Sequence, residues 1–439
     1  MDIHDRTASH FRKDVRESLW RQAAASGITR RRFMALLGMG GAAAVLSSCA
    51  APSTRTITST VTAATTITAT SPVPPATSPP ATTAAARILN DPRPEQYFIP
   101  QGATNAEMRF EQMTGRTYLM PNSLFFVRNH GNSPIIDPKT WSLRIEGDGV
   151  ATPLGVSYDE LLKMPTVTIT RYVECAGNGR SFYTSLLNNP AQGSQWKLGA
   201  YGIAEWTGVR LSELLNRAGV KSAAVDVMPT GLDTPITQRP MSMAKAMMPD
   251  TIVAYLMNGD ILPVDHGFPA RTIAPGWVGI ASVKWVGKIT VSNTPLFVDK
   301  NTTSYILEGP DYAPQPPAAG QILSDNSMKS AVCLPWPATL NAGNQKVIGY
   351  AWSPFGKIAK VEVSINGGQS YQPATLTGPN IERAGTRWEF TWSATPGDMT
   401  LTPRATDDQG NTQPPVSQQK WNRQGYIFGA VVPHPVKVV

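Results

Sequence analysis

Residues 50–86 consist almost entirely of alanine, threonine, serine and proline. A stretch of this composition has too few large apolar side chains to bury a core, so it is predicted to be a disordered, extended tether. We place this tether at residues 50–88. It separates an N-terminal segment, residues 1–49, from a body that begins at about residue 89 and contains all the patterns typical of folded structure.

The N-terminal segment carries a pattern typical of export rather than of a fold. Thr29 to Gly38 read TRRRFMALLG, a twin-arginine motif followed by a short apolar run. That run is too short for a permanent membrane span. It ends in LSSC at Cys49, the sequence at which lipoprotein signals are cut and lipidated. We therefore predict twin-arginine export to the periplasm or the outer face of the cell membrane, with a lipid anchor on Cys49. An ordinary cleaved signal and a cytoplasmic N-terminal helix are the alternatives.

The whole-chain composition limits the class of partner. The chain has 439 residues, of which 41% are hydrophobic and 16% charged, with a formal net charge of +8. This length allows two or three domains. Its basic residues are scattered singly except at Arg30-Arg31-Arg32, so the charge favours a small anion and argues against nucleic acid.

Residues 89–320 alternate strands and short helices without a regular strand–helix–strand rhythm, which predicts an α+β domain. The segment WSLRIEG places Trp141, Leu143 and Ile145 on one face of a strand. Ser157 with Glu160 three residues on has the spacing of a capping box at a helix start. The segment GVRLSELLNRAGV predicts a second short helix that Gly219 ends.

The proline-rich segment YAPQPPAAG, Tyr312 to Gly320, precedes a change of pattern. Residues 321–439 contain alternating strands such as KVEVSINGG, which turns at Asn366-Gly367, and RWEFTW. The length and the turn spacing predict an all-β immunoglobulin-like sandwich. No Cys-x-x-Cys-His motif that would attach haem is present in the sequence.

Among the three cysteines of the chain, Cys175 has the most unusual surroundings, in the sequence RYVECAGNGR from Arg171 to Arg180. A strand over Thr166–Val173 leads to it, and the two arginines flank it. Nearby cations favour the thiolate, which is both a nucleophile and a soft metal ligand. Gly177 and Gly179 would let backbone approach a bulky group.

Several roles for Cys175 remain open from the residues alone. It could simply pack at a strand end, or pair with Cys333, which otherwise looks like a buried apolar thiol. A nucleophile would need a histidine base, for which the body offers His130, His266 and His434. A zinc site is weaker, because no cysteine and histidine cluster has ligand spacing. A single thiolate on a metal that a cofactor mostly coordinates is the fourth possibility.

The stretch CAGN with a nearby arginine resembles the molybdenum-binding loop of the sulfite oxidase family. Further segments resemble that family in the same order along the chain. They are FFVRNHG from Phe125, MNGDILPVDHGFPAR from Met257, GIASVKWVGKI from Gly279, DY at Asp311-Tyr312, and RATDDQGNTQPP followed by WNRQGY. The resemblance covers about Asn90 to Tyr426. It implies a molybdopterin-binding domain at residues 89–320, followed by a dimerisation domain within the predicted sandwich, and a homodimer.

The resemblance also implies a cofactor and roles for individual residues. The cofactor would be one molybdenum–molybdopterin per subunit, with Cys175 as the protein ligand of the metal. The residues implied to contact the pterin are Phe126, Val127, Arg128, Asn129, His130, Cys175, Asp233, His266, Arg271, Ser282, Val283 and Lys284. Arg128 and Arg180 would hold a small oxyanion, and Tyr312 would donate a hydrogen bond near it. The implied reaction transfers an oxygen atom to the anion, most simply oxidising sulfite to sulfate.

One position departs from the family pattern. The family's WN motif brings another arginine toward the anion, whereas here Gln424 stands at that place and Arg423 one position earlier. Either Arg423 turns into the pocket or the pocket has one cation fewer. A reductase of nitrate or of S- or N-oxides on the same scaffold is therefore the first alternative, and a cofactor-free ligand-binding lipoprotein is the second. Electrons are expected to leave to a separate carrier such as a c-type cytochrome.

Overall fold

The computed structural model describes residues 93–439. The predicted signal at 1–49, the tether at 50–88 and the first residues of the catalytic body lie outside the described residues. Export, lipidation of Cys49 and disorder of the tether therefore stay predictions. Within residues 93–439, no helix combines the length and the apolar character that a membrane crossing requires.

The first domain is built mainly from strands. In chain order they are β1 (Phe98–Pro100), β2 (Asn105–Met108), β3 (Val127–Arg128), β4 (Ser142–Glu146), β5 (Leu154–Ser157), β6 (Thr166–Glu174), β7 (Tyr201–Arg210), β8 (Asp226–Gly231), β9 (Met241–Ser242), β10 (Ile252–Met257), β11 (Asp260–Ile261), β12 (Arg271–Ile273), β13 (Val286–Ser292), β14 (Ile306–Leu307) and β15 (Gln321–Ile322). The α-helices are α1 (Tyr158–Leu161), α2 (Ser181–Ser185), α3 (Leu211–Arg217), α4 (Met243–Ala246) and α5 (Asp299–Thr302). Short 3-10 helices cover Phe110–Met113, Val264–His266 and Gly279–Ala281.

Two five-stranded sheets form the centre of this domain. One has the order β11-β10-β7-β6, with β12 also paired to β10, and the other has the order β5-β4-β13-β8-β9. In β4, Leu143 and Ile145 are fully buried while Ser142 and Arg144 are exposed, as the alternating sequence predicts. The longest first-domain pairing joins β6 to β7 from Thr166 opposite Val209 to Glu174 opposite Tyr201. This pairing fixes where the chain leaves β6, immediately before Cys175.

The helices are short, and the predicted start of α1 and the predicted end of α3 are confirmed. Ser157 and Glu160 form the reciprocal capping box at the start of α1. Gly219 follows the end of α3 with a φ of +65°, a conformation that glycine adopts without a steric cost. The α1 helix has 4 residues and α3 has 7. The domain is thus mostly sheet with few helices, so the α+β prediction overestimated the helical share.

The second domain consists of two sheets around their own core. Its strands are β16 (Lys329–Val332), β17 (Ala338–Leu340), β18 (Gly343–Trp352), β19 (Ile358–Ser364), β20 (Gln372–Pro373), β21 (Thr375–Ile381), β22 (Gly385–Ala394), β23 (Gly397–Asp407) and β24 (His434–Val438), with a 3-10 helix at Val416–Gln418. The sheets have the orders β16-β18-β22-β21 and β17-β24-β23-β19-β20. Val361, Trp388 and Leu401 pack in the shared core. The all-β prediction holds, whereas an immunoglobulin-like topology stays a prediction.

Glu107 in β2 has a buried carboxyl group, and no cation of the described residues is bonded to it. It accepts hydrogen bonds from the backbone N–H of Gly199 at 2.9 Å and from Gln101 Nε2 at 3.1 Å. Burial raises its pKa from 4.5 to about 7, and the hydrogen bonds from Gly199, Lys197 and Gln101 oppose that rise only in part. The folded protein therefore holds the proton of Glu107 more tightly than the unfolded chain does.

A raised carboxyl pKa destabilises the fold as pH rises. The contribution of Glu107 is fully present below pH 4.5 and is lost as pH rises through about 7. We expect wild type to lose about 3 kcal/mol of unfolding free energy over this window relative to Glu107→Gln. Denaturant unfolding at a series of pH values measures the difference. The exposed Glu95→Gln serves as the control, and parallel wild-type and Glu107→Gln curves would contradict the prediction.

Candidate active site

The loop that follows β6 holds Cys175 in a fixed backbone. Cys175 is 8% exposed, and its backbone N–H donates to the carbonyl of Ala200 at 2.9 Å. Asn178 is fully buried, and its side chain links the end of β6 to the residue that precedes β7. Its Nδ2 donates to Glu174 at 2.9 Å and its Oδ1 accepts from the N–H of Ala200 at 3.0 Å. The thiol therefore lies at a defined point on the wall of the site rather than on a mobile loop.

The two glycines of this loop have roles other than the predicted one. A Cβ at Gly177 would collide with the guanidinium of Arg180, and a Cβ at Gly179 would lie 3.0 Å from the Cβ of Phe428. Gly179 also has a φ of +92°, which disfavours other residues. Both glycines therefore make room for side chains of the protein itself, Arg180 and Phe428, and not for the bulky bound group that the sequence suggested.

The cations beside the thiol also differ from the prediction. Arg171 points to Asp250, with Nε 2.9 Å from the carboxylate. Arg128 instead lies against Cys175 and Tyr305. Burial lowers the pKa of Arg128, but these two groups raise it, and its net pKa lies above the ordinary value. Arg128, whose side chain is hydrogen-bonded to Cys175, is thus a cation beside the thiol, whereas Arg171 pairs with Asp250.

A first cavity opens on one side of Cys175. It contains about 640 Å³ of space between atoms, part of which is open to solvent. The residues that line it are Phe125, Phe126, Arg128, Asn129, His130, Val173, Cys175, Ala176, Asp233, Thr237, His266, Arg271, Gly279, Ile280, Ser282, Val283, Lys284, Trp285 and Tyr305. The set includes all the predicted pterin-contacting residues except Val127. Val127 is buried in β3 opposite Ala106.

Buried cations dominate the polar part of the first cavity. Arg271 donates to the carbonyls of His266 and Ser282, both at 3.0 Å, and burial lowers its pKa to about 9. Lys284 donates to the carbonyl of Asp265 at 2.8 Å and to the side chain of Asn129. Burial and then the charge of Arg271 lower the pKa of Lys284 well below its ordinary value. An anionic ligand in this cavity would raise the pKa of both groups and so favour their charged forms.

The two histidines of the first cavity are neutral near pH 7. Burial, followed by the charge of Arg128, lowers the pKa of His130 to about 2. Burial, followed by the charge of Arg93, lowers that of His266 well below its ordinary value. Hydrogen bonds join His130 Nδ1 to Thr237 Oγ1 at 3.5 Å and His130 Nε2 to the Tyr305 hydroxyl at 3.2 Å. Neutral imidazoles can both donate to and accept from a heterocyclic ring.

The donor set of the first cavity fits a phosphate-bearing heterocycle. Arg128 Nη1 and Arg271 Nε are buried and have no hydrogen-bond partner within residues 93–439. Unsatisfied buried guanidinium groups are costly unless a ligand completes them. The lining contains three cationic side chains, those of Arg128, Arg271 and Lys284, and a single carboxylate. That carboxylate, Asp233, already accepts hydrogen bonds from the backbone N–H and the hydroxyl of Thr237. A pterin with a phosphate supplies acceptors of the required charge and geometry.

A second cavity lies on the other side of Cys175. It contains about 690 Å³ of space between atoms, part of it open to solvent. Its lining residues are Arg128, Cys175, Arg180, Gln192, Gly193, Ser194, Trp196, Tyr305, Gln424 and Tyr426. Within the described chain, these lining residues include two arginines and no aspartate or glutamate. Arg128, Cys175 and Tyr305 line both cavities, so an anion in the second would lie next to a cofactor in the first.

Arg180 is held in place by backbone carbonyls rather than by a carboxylate. Its Nε donates to Gln424 and its Nη1 to Ser194, both at 2.7 Å. Its charge is thus not neutralised by these contacts and remains available to an anion. This placement agrees with the predicted role of Arg180.

Tyr305, and not Tyr312, lies at the site. Tyr312 packs at the edge of an apolar cluster and is absent from the linings of both described cavities. Tyr305 is 4% exposed and lines both. Tyr305 follows a serine and lacks the Asp-Tyr pair that indicated Tyr312, so only the path of the chain after α5 decides between the two tyrosines. The prediction of Tyr312 is therefore corrected to Tyr305.

Arg423 does not turn into the second cavity. Its Nη2 lies 2.8 Å from Glu308, and the side chain is 46% exposed. Gln424 lines the cavity instead, and its Nε2 donates to the carbonyl of Thr303 at 2.9 Å. Of the two arrangements that the sequence left open, the structure has the one with one cation fewer, and the assignment of Arg423 to the site is wrong. Tyr426 and Trp196 also line this cavity and were not predicted.

Comparisons with known proteins agree with this site. Residues 130–298 match the family model "Oxidoreductase molybdopterin binding domain", and residues 321–432 match "Mo-co oxidoreductase dimerisation domain". The crystal structure of the sulfane dehydrogenase SoxCD from Paracoccus pantotrophus superposes with a TM-score of 0.69 at 28% identity, covering 77% of this chain and 85% of that one.

Curated relatives are sulfite oxidases and a nitrate reductase. Mitochondrial sulfite oxidase of Rattus norvegicus is 32% identical over 78% of this chain and 66% of its own length. Sulfite oxidase of Gallus gallus is 33% identical over 74% of each chain. Nitrate reductase [NADH] of Ulva prolifera is 32% identical over 71% of this chain and 40% of its own length. The chain spans a little under two thirds of the length of the mammalian relatives that it matches, 63% for Homo sapiens.

The two family models cover both domains and include most of the residues that line the two cavities, the exceptions being Phe125, Phe126, Arg128, Asn129 and Tyr305. The molybdopterin cofactor that the resemblance implied is therefore a property of this chain's family, and the cofactor-free alternative is wrong. The chain belongs to the sulfite oxidase family of molybdopterin-dependent oxidoreductases.

Proposed function

We propose that this oxidoreductase oxidises sulfite to sulfate at the second cavity and passes the electrons to an external acceptor. The observation that carries the proposal is the shared wall of Arg128, Cys175 and Tyr305 between the two cavities. The second cavity is cationic, so it attracts a small anion and raises its local concentration. When bound in the first cavity, molybdenum–molybdopterin supplies two-electron oxygen-atom transfer, with Cys175 as the protein ligand of the metal.

The residues of the first cavity would hold the cofactor by charge and hydrogen bonds. Arg271 and Lys284 would bind its anionic part, because both are buried and short of negative partners. His130, Asn129 and Asp233 would orient the ring through donors and acceptors. Phe126 and Val283 provide apolar walls.

The residues of the second cavity would bind and orient the substrate. Arg128 and Arg180 would bind two oxygens of the anion, so that its reacting atom would face Cys175. Burial raises the pKa of Tyr305, although the charges of Arg128 and Arg180 oppose the rise. The phenol therefore carries its proton at neutral pH and, by turning its hydroxyl from His130 Nε2 to the anion, would donate a hydrogen bond to the anion rather than repel it.

The test of sulfite oxidation uses purified holoenzyme with an artificial electron acceptor. We expect sulfite-dependent reduction of the acceptor and formation of sulfate, both absent from protein prepared without molybdenum. Turnover of no sulfite by molybdenum-replete enzyme would overturn the substrate assignment.

Replacing Tyr305 by phenylalanine tests its role as a donor. Loss of one hydrogen bond to a charged group is expected to lower kcat/KM for sulfite by about 10- to 100-fold. Steady-state kinetics with the artificial acceptor measure the change. Tyr312→Phe is the matched control and is expected to stay within about threefold of wild type, as suits a tyrosine outside the substrate cavity. Equal losses in the two variants would contradict the assignment.

Reduction of nitrate or of an S- or N-oxide is the second candidate function. The observation that favours it is Gln424, which lines the second cavity where a further cation was expected. One cation fewer lowers the affinity for a doubly charged anion more than for a singly charged or neutral one. Reduction of nitrate, but no oxidation of sulfite, by the same holoenzyme with a dye as electron donor would favour this candidate.

We also propose a location and partners for the enzyme. The match of residues 321–432 to a dimerisation domain supports a homodimer. The twin-arginine motif and Cys49 support export as a folded, cofactor-loaded protein and anchoring by lipid outside the cytoplasm. A soluble c-type cytochrome would then be a suitable electron acceptor. Size-exclusion chromatography with light scattering and mass spectrometry of Cys49 test the first two proposals.

A further inference from the structure

The chain segment from Asn422 to Ile427 carries part of the second domain to the second cavity. Asn422 is fully buried and forms two bonds with Tyr426: its Oδ1 accepts from the backbone N–H and its Nδ2 donates to the carbonyl, both at 2.9 Å. The backbone N–H of Ile427 donates to the carbonyl of Ala176 at 2.8 Å. The segment is therefore fixed directly against the loop that contains Cys175.

The ring of Tyr426 lies between the two groups proposed to contact the substrate. It stacks on the ring of Tyr305 with 5.2 Å between centroids and 7° between planes. The guanidinium carbon of Arg180 lies 5.3 Å from its centroid. Stacked aromatic pairs and cation–π contacts both stabilise such an arrangement. Tyr305, Tyr426 and Arg180 thus form one stack on the wall of the second cavity.

Tyr305 needs this support because its backbone is in an unfavourable conformation. Its φ is +56°, in the left-handed region that residues other than glycine rarely adopt. Such conformations persist where the surroundings over-determine them, and they occur often at functional sites. The contacts that hold the Tyr305 side chain are His130, at 3.2 Å from its hydroxyl, and the ring of Tyr426.

We propose that Tyr426 is a positioning residue that determines anion selectivity, by holding Tyr305 and Arg180 in one stack and filling the space beside them. The second cavity then accepts a small inorganic oxyanion and rejects a bulkier organic anion. This inference rests on the proposed function, since it deepens the account of the same anion site. Because Tyr426 belongs to the second domain, that domain would then contribute directly to the choice of substrate.

The experiment measures anion binding independently of turnover. Dissociation constants of sulfate and of benzenesulfonate are determined by calorimetry on oxidised holoenzyme, together with kcat and KM for sulfite. In Tyr426→Val we expect sulfate affinity to fall about tenfold, from loss of both ring contacts. We also expect the preference for sulfate over benzenesulfonate to shrink. Tyr426→Phe keeps the ring and is expected to retain both the affinity and the preference.

The control is Tyr371→Val, since Tyr371 also packs its ring on a guanidinium, that of Arg404 at 3.8 Å, but lines neither described cavity. If the valine variant at 426 does not fold, Tyr426→Trp replaces it and is expected to increase the preference for sulfate. Unchanged affinity and preference in the Val or Trp variant would overturn the inference, as would equal changes in Tyr371→Val. Wild type that binds sulfate but oxidises no sulfite would instead contradict the proposed function, and the binding data would still decide the role of Tyr426.

Discussion

Cys175→Ser is expected to lower kcat for sulfite by more than about 100-fold, since even residues that only support a metal ligand commonly change activity by 10- to 100-fold. Serine offers a hard oxygen ligand in place of the soft thiolate sulfur, so the electronic environment of the metal changes. X-ray absorption at the molybdenum edge is expected to show one sulfur fewer around the metal than in wild type. Steady-state kinetics on protein of known metal content completes the measurement.

Cys333→Ala is the matched control for this prediction. Cys333 is the other cysteine of the described chain, it is buried in the second domain, and it forms no disulfide there. Burial raises its pKa well above the ordinary value, so it stays a neutral thiol. We expect this variant to keep the sulfur count and the activity of wild type. An unchanged sulfur count in Cys175→Ser would exclude Cys175 as the metal ligand.

Lys329→Met is expected to give the largest loss of stability. Lys329 Nζ lies 2.9 Å from Glu174 Oε1, with side-chain exposures of 2% and 0%. Trp352 Nε1 also donates to Glu174, at 2.9 Å. Removing the lysine leaves a buried carboxylate without its cation, a change that commonly costs about 3–5 kcal/mol. Thermal unfolding should show a fall in Tm of about 10 °C.

A surface ion pair within the second domain provides the comparison. Lys346 Nζ lies 3.4 Å from Glu389, and the lysine side chain is 61% exposed. Lys346→Met is expected to cost less than about 1 kcal/mol. Adding Glu174→Gln to Lys329→Met should recover part of the loss, because the neutral amide needs no cation. Equal Tm values for the two single lysine variants would contradict the importance of the buried pair.

The sequence predicted the elements whose signal is local. The capping box at Ser157 and Glu160, the alternation of Leu143 and Ile145, and the strand that leads to Cys175 each depend on neighbours within a few positions. Ordered motifs also led to most of the residues that line the first cavity. A motif can do this because each of its segments contributes several adjacent residues to one wall.

The errors concern side chains whose position depends on distant parts of the chain. Arg171 pairs with Asp250, and Arg423 pairs with Glu308, partners that no local pattern indicates. The choice between Tyr305 and Tyr312 likewise depends on the path of the segment that connects the two domains. Gly177 and Gly179 had a clear local signal for close approach, but the neighbour that approaches became visible only in three dimensions.

The wall of Arg128, Cys175 and Tyr305 makes the two cavities thermodynamically dependent on each other. Whatever occupies one cavity changes the electric potential and the side-chain freedom that an occupant of the other encounters. Linkage requires this effect to be reciprocal: if the cofactor alters the affinity for an anion by some factor, the anion alters retention of the cofactor by the same factor. Ambient oxyanion concentration would therefore help to set the equilibrium between subunits that hold the cofactor and subunits that lack it.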